Sequence, residues 1–362
     1  MRAPELLDPR DPAPAARAAL QAWLALQREL AYRPERAVAE LRRAPEALLA
    51  RHRGAAADER ARAALARAGA VGVPWPSPLY PERLRRLADA PPLLWVRGRV
   101  ESLSEPAVAI VGARAATAYG RAVARALAAA LARAGLAVVS GLARGVDAEA
   151  HGGALEVEGV TVAVQGCGPD RVHPRAHATL AQRIAAKGAV ASEFPPGTAP
   201  RAPHFPLRNR LISGLARAVI VVEARERSGS LGTARHAADQ GVEVLAVPGP
   251  IDAPTSRGTN RLLRDGARPL LDVRDVLDAL GIEARVAPAA PGTGAASGSA
   301  SEAARAVLAC LADGPLDRDA LARRLAKPPQ ALAAALLELE LAGLVACDRD
   351  GRLRGVRRPF AE

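Results

Sequence analysis

The sequence predicts an α/β protein: an extended Rossmann-like, doubly wound parallel sheet, with an N-terminal helical module and a C-terminal winged helix. Three observations carry that expectation. From about residue 107, short β-branched runs alternate with Ala/Leu/Arg segments of helical period. Residues 284–301, ARVAPAAPGTGAASGSAS, are Ala, Gly, Ser and Pro with almost no charge. Beyond them come three short helical patterns and a hairpin signal.

Residues 17–69 read as helices, because Leu20, Leu24, Leu30, Leu41, Leu48 and Leu49 recur near helical spacing. Pro34 and Pro45 mark helix starts or breaks. A Pro-rich connector, VPWPSPLYP at 73–81, closes this module, which is assigned to residues 1–78 as a SAM-like or helix-hairpin-helix unit. No site chemistry precedes the connector. The core, residues 79–283, has apolar runs VAIV at 108, LAVV at 136, VTVAV at 160, AVAS at 189, AVIVV at 218 and VEVLAV at 242. Between the first two, Val123, Leu127 and Leu131 fall four apart on one helical face, with Arg121, Arg125 and Arg133 largely off it. Continuous apolar strands alternating with amphipathic helices imply a parallel sheet covered on both sides. Right-handed crossovers make it doubly wound. The linker follows. Within 302–362, EAARAVLACLADGP, DRDALARRLAKPP and QALAAALLELELAGLV read as three helices. CDRDGRLRGVR reads as two strands turning at Asp350-Gly351, completing a winged helix.

Composition narrows the function classes. The 362 residues carry a formal net charge of +12, which favours a polyanionic partner. Nearly all of that charge is arginine, since Lys187 and Lys327 are the lysines. The Ala/Arg excess can equally reflect base composition, so charge alone leaves nucleic acid open. Three scattered cysteines, Cys167, Cys310 and Cys347, make no disulfide framework. No apolar run reaches the ~18 residues of a membrane span, and the N-terminus lacks a signal-peptide core. A cytoplasmic protein without a membrane partner is expected.

The unusual residues sit where strands end. In an open α/β sheet, ligands bind beyond the carboxyl ends of the strands. Here those ends read VGAR, SGLARGVD, QGCGPDRVHP, SEFPPG, EARERSGSLGT and PGP. Glycines allow the backbone to approach a ligand closely. Successive N–H groups there form anion nests, reinforced by the positive end of the next helix. Gly112 opens the first turn and Arg114 projects from it, while Ser140, Ser228, Ser230 and Thr233 add hydroxyls. In FPLRNRLISGLA, Arg208 and Arg210 flank Asn209 at a helix start. They are either surface arginines or paired guanidinium forks for phosphate. Phe205 is placed to stack on a base.

Other chemistries fit less well. The first turn, G-A-R-A-A-T-A-Y-G, is not the G-x-G-x-x-G fingerprint, so no dinucleotide cofactor is expected. Ser140, Asp147 and His151 suggest a triad, but Asp147 suits helix capping equally well. Cys167, His173 and His177 match no common zinc spacing, so no metal is expected.

Nine motifs, from YPERLRRLADAPPLLWVRG through VAIVGAR…YG, SGLARGVDAEAH, FPLRNRLISGLA and VVEARERSGSLGTARHA to GTNRLLRDGA, resemble the DNA-processing protein A family (DprA, also called Smf) over about residues 79–272. The flanking modules are similar to those of its longer members. The resemblance implies a Rossmann-type core that binds single-stranded DNA without catalysis, acts as a homodimer and helps load the recombinase RecA during natural transformation. It implies DNA contacts at Arg114, Arg208 and Arg210. The full expected DNA-binding set is Gly112, Arg114, Ser140, Gly141, Arg144, Gly145, Phe205, Arg208, Asn209, Arg210, Ser228, Gly229, Ser230 and Thr233. The chain departs from the family pattern at His173-Pro174 and at Ala113.

Two other functions compete. SGSLGT is similar to the P-G-G-x-G-T turn of lysine-decarboxylase-like nucleotide phosphoribohydrolases, in which Glu193 or Glu223 would be the acid/base. A transcription factor acting through the winged helix is the other. Its third helix carries Glu338 and Glu340 and no lysine or arginine, a poor match for a DNA groove and a better one for protein interaction.

Overall fold

The computed structural model describes residues 5–30, 34–52, 54–282, 301–312, 314–327, 329–341, 344–347 and 352–355. They fall into two compact units, one within Met1–Glu283 and one within Ala284–Ala361.

The first unit opens with helices α1 (Pro14–Glu29), α2 (Pro34–Arg43), α3 (Pro45–Ala50) and α4 (Glu59–Ala68). Each of the first three begins on a proline, whose fixed φ suits a helix start and whose missing N–H is not needed there. Asp58 caps α4 by accepting the Ala61 N–H at 2.8 Å, and Gly69 ends it in the left-handed conformation. Strand β1 (Ala70–Pro74), the short helix α5 (Glu82–Arg85) and strand β2 (Leu93–Gly98) come next.

Strand and helix then alternate: β3 (Ala107–Val111), α6 (Ala118–Arg133), β4 (Ala137–Ser140), α7 (Val146–Glu156), β5 (Thr161–Val164), α8 (Ala178–Lys187), β6 (Ala189–Ser192), α9 (His204–Leu215), β7 (Ala218–Val221), α10 (Gly229–Asp239), β8 (Glu243–Ala246), α11 (Arg257–Arg264), β9 (Arg268–Pro269) and α12 (Val273–Ala279). The sheet order is β1-β2-β6-β5-β4-β3-β7-β8-β9. All six expected strands are present and parallel. Winding reverses between β3 and β7, so the topological switch point lies there.

The antiparallel edge, β1 with β2 and β2 with β6, was not expected. The run AVGVP merges into the Pro-rich connector and carries too few residues for a periodicity signal. Strand β2 explains the edge physically, because it is apolar on both faces. Leu94 and Val96 join the main core. Leu93 and Trp95 face the other way, against Trp23, Leu24, Leu26 and Leu65 of the N-terminal helices. Trp95 Nε1–H donates to Gln27 Oε1 at 3.0 Å, and Gln27 Nε2 donates to the Glu193 carbonyl at 2.8 Å. Residue 78 is therefore no domain boundary, since helices and sheet share buried residues across it.

The second unit holds α13 (Glu302–Leu311), α14 (Arg318–Leu325), α15 (Pro329–Leu341), β10 (Val345–Cys347) and β11 (Leu353–Gly355). Ser301 caps α13 and Asp317 caps α14. Val307, Leu321, Leu336 and Leu339 close the core under the antiparallel β10–β11 ribbon. This is the expected winged helix. The turn at Asp350-Gly351 and residues 284–300 of the linker lie outside the described residues. Among the described residues, no helix is long and apolar enough to cross a membrane.

Candidate nucleic-acid interface

At the switch point the crossovers after β3 and β7 diverge. Between them opens a cleft of about 710 Å³. The turn after β3 supplies Gly112 and Arg114, α9 supplies Phe205, Arg208 and Asn209, and the α10 start supplies Ser228, Gly229, Ser230 and Thr233. Nine of the expected residues thus meet in one concavity. The N-terminus of α10 points its first peptide groups at this space. Ser228 caps the helix, accepting the Ser230 N–H at 3.4 Å and sharing a 2.8 Å hydrogen bond with the Ser230 hydroxyl. Asn209 Nδ2 donates to the Gly229 carbonyl at 3.2 Å, tying α9 to that turn. Such a helix start attracts anions through its unpaired N–H groups and its dipole.

The charge balance agrees. Arg114, Arg208, Arg225 and Arg227 line the cleft against a single carboxylate, Asp147. Asp147 is buried and accepts the Gly141 and Ala143 N–H groups, each at 3.2 Å. Burial raises its pKa, with the Arg208 charge opposing. Arg114, Arg225 and Arg227 are exposed and have no carboxylate partner among the described residues. The cleft is therefore a cationic trough with one buried acid in its wall.

Several expected contacts act differently from the way their sequence suggested. Phe205 is not an open platform for a base. The Arg114 guanidinium lies over its ring at 5.2 Å, and the His173 ring sits 5.5 Å away at 41°. The ring's negative face attracts the cation, so Phe205 steadies Arg114. Arg208 is buried, with an N–H bonded to the Val164 carbonyl. Burial lowers its pKa to about 10, while Asp147 pulls the other way. It offers the trough charge more than an exposed fork.

Arg210 is turned away entirely. Its Nε meets Asp89 at 2.8 Å, and its terminal nitrogens meet Glu193 at 2.6 and 2.7 Å. Burial opposes its charge, but Glu193 and Asp89 outweigh that and raise its pKa. Arg208 and Arg210 are two residues apart on a helix, roughly 200° around its axis, so both cannot face one cleft. Ser140 is fully buried, and its hydroxyl donates to the Ile110 carbonyl at 2.6 Å. It holds β4 to β3 and faces no ligand.

Gly141 and Gly145 act through the backbone. A Cβ on Gly141 would sit 2.8 Å from Arg208 Cζ. Gly145 has φ 75°, and its Cβ would fall 2.9 Å from the Arg114 carbonyl carbon. The loop carrying Arg114 rests on that bare peptide. Arg144 is exposed beside it, outside the cleft lining.

Alternative chemistries lose their groups to structural bonds. His151 Nδ1 bonds Thr161 Oγ1 at 2.7 Å, and burial lowers its pKa to about 3. Ser140, Asp147 and His151 therefore form no triad. Glu193 is held by Arg210. Glu223 accepts the Thr117 N–H at 2.9 Å and the Thr117 hydroxyl at 2.5 Å. Its carboxylate thus fills the N-terminus of α6, the place a dinucleotide pyrophosphate would take. Cys167 is buried, which raises its pKa to about 11, and the His177 ring bonds the Leu142 carbonyl at 2.9 Å. Among the described residues, no three metal-ligating side chains converge.

Comparison with known proteins decides the family. Residues 73–281 match the family model described as DNA recombination-mediator protein A, and residues 287–351 match the DprA winged helix domain. The chain belongs to the DprA family. Protein Smf of Escherichia coli strain K12 is 41% identical over 286 residues, 78% of this chain and 76% of that one. The DNA processing protein DprA of Bacillus subtilis strain 168 is 40% identical over 209 residues, 58% of this chain and 70% of that one. Among solved structures, DprA of Streptococcus pneumoniae superposes with a TM-score of 0.64 at 32% identity, covering 71% of this chain and 97% of that one. DprA of Helicobacter pylori, solved for its single-stranded DNA binding mode, superposes with a TM-score of 0.52 at 33% identity, covering 55% and 92%.

Within this DprA-family cleft, Arg225 and Arg227 are cations absent from the set expected from sequence. Their signal is present in EARERSGSLGT, where two arginines closely precede a serine cap. The glycines and hydroxyls of that turn are the more familiar anion-binding groups, and they draw the eye away from the arginines.

Proposed function

We propose that this chain binds single-stranded DNA in the β3–β7 cleft, without catalysing a reaction on it. One observation carries the reading. Exposed Arg114, Arg225 and Arg227 surround the open N-terminus of α10 in one trough at the switch point. Guanidinium groups and peptide N–H groups bind phosphate without reading bases. A trough of this volume takes a few nucleotides. The Helicobacter pylori relative, studied for its single-stranded DNA binding mode, supports the choice of strand. The family's description as a recombination mediator supports a role in recombination, and the finer reading proposed here is a cytoplasmic homodimer that protects incoming DNA and passes it to RecA during natural transformation.

The test is a mobility-shift titration of an unstructured oligonucleotide and of its duplex. Arg114→Ala with Arg225→Ala is expected to weaken single-strand binding about tenfold or more, equally for different sequences. Each lost phosphate contact should flatten the log–log salt dependence by about 0.7. Unchanged affinity in the folded double variant would remove the DNA from this cleft.

A further inference from the structure

The run YPERLRRLADAPP contributes nothing to the DNA cleft, yet it places arginines at a second cavity. This cavity, of about 600 Å³, lies at the far ends of the helices that build the first. Its lining includes Arg83 of α5 and Arg86 at its C-cap, Gly214 near the end of α9, and His236 and Gln240 near the end of α10. Helix α9 has 12 residues; Ile212 lines the first cavity and Gly214 the second, and two residues apart on a helix they lie on roughly opposite faces.

Two arginines, Arg83 and Arg86, share the lining with two carboxylates, Asp89 and Asp239. Arg83 has no carboxylate partner among the described residues. Among the described residues, the carboxylate that meets Arg86 is Glu82, on its own surface turn, at 3.4 Å. Asp89, also in the lining, is taken by Arg210 at 2.8 Å. Asp239 is the remaining carboxylate in the lining, and it is exposed. Arg217 stands close by, its guanidinium donating to the Leu280 carbonyl at 2.9 Å. Partial burial, then the Arg217 and Arg86 charges, lower the pKa of Arg83. Like charges gathered at a concave site repel one another unless an anion enters.

We infer that this cavity is a second anion site, separate from the DNA cleft, that takes a phosphate group through Arg83 and Arg86. The phosphate belongs either to a small oligophosphate or to DNA backbone that has passed along the α9–α10 pair. Its binding here does not require that the first cleft hold DNA.

Calorimetric titration of the full chain with pyrophosphate, at low ionic strength, tests it. One equivalent should persist in Arg114→Ala/Arg225→Ala, and in that background it should weaken about tenfold or more when Arg83→Ala/Arg86→Ala is added. Arg83→Glu, a surface change with thermal melting as the folding control, should abolish it. The same Arg83 and Arg86 variants are then compared on oligonucleotides of increasing length. Weaker binding of long strands alone assigns the phosphate to DNA backbone, and equal binding at every length assigns it to a small oligophosphate. Pyrophosphate binding that is absent from the Arg114→Ala/Arg225→Ala protein, or that in this background survives both the alanine pair and Arg83→Glu, overturns the site.

Discussion

Arg208 and Arg210 sit in one triplet and face different worlds. The sequence shows two equivalent guanidinium groups around an asparagine, because composition and spacing record chemistry but not direction. Helix geometry separates them, and the carboxylates near each decide its work. Arg210 is 2% exposed at its side chain and Glu193 9%, so their pair is a buried one. Removing one partner strands the other charge in the interior, at about 3–5 kcal/mol. Arg210→Ala is therefore expected to lower thermal stability by that order, while single-strand affinity per folded molecule stays near wild type. A stable Arg210→Ala protein with lost DNA affinity would return Arg210 to the trough. Ser140 teaches the same lesson: a hydroxyl at a strand end reads as a ligand donor until the neighbouring carbonyl of Ile110 is seen to take it.

At the scale of the element, the turns proved more informative than the strands and helices they connect. The SGLARGVD turn does not touch phosphate through its serine; it supports the neighbouring turn. Gly145 adopts a φ that a side chain resists, and its bare Cα lies against the Arg114 peptide. Gly145→Ala is expected to lose about 1–3 kcal/mol of stability. It should also weaken single-strand binding by displacing Arg114, whereas Arg144→Ala leaves stability unchanged. Equal melting temperatures for Gly145→Ala and wild type would show that the turn relaxes and that this support is not real. The β7–α10 turn was legible as a candidate anion nest from SGSLGT, since Ser and Gly mark a helix start whose first N–H groups are open to an anion. Its arginines needed the fold, because only there do Arg225 and Arg227 meet Arg114 across the switch point.

For the whole molecule, the two compact units imply two separable folding units. The sheet and the N-terminal helices share Trp95 and its neighbours, and the winged helix closes on its own leucines. The cleft belongs wholly to the first unit. Deleting residues 302–362 is thus expected to leave single-strand affinity within about threefold of the full chain, since no trough arginine is lost. Loss of binding on deletion would move the DNA site to the winged helix. The sequence by itself determined the alternation of strand and helix, the winged helix and the placing of Gly- and Ser-rich turns at the strand ends. Local periodicity and turn chemistry encode those directly. Only the tertiary structure decided which arginines stay solvated, which glycines support loops, and that β1 and β2 weld the helical module to the sheet. Those outcomes depend on what faces each residue across the core, and that information is spread over segments far apart in the chain.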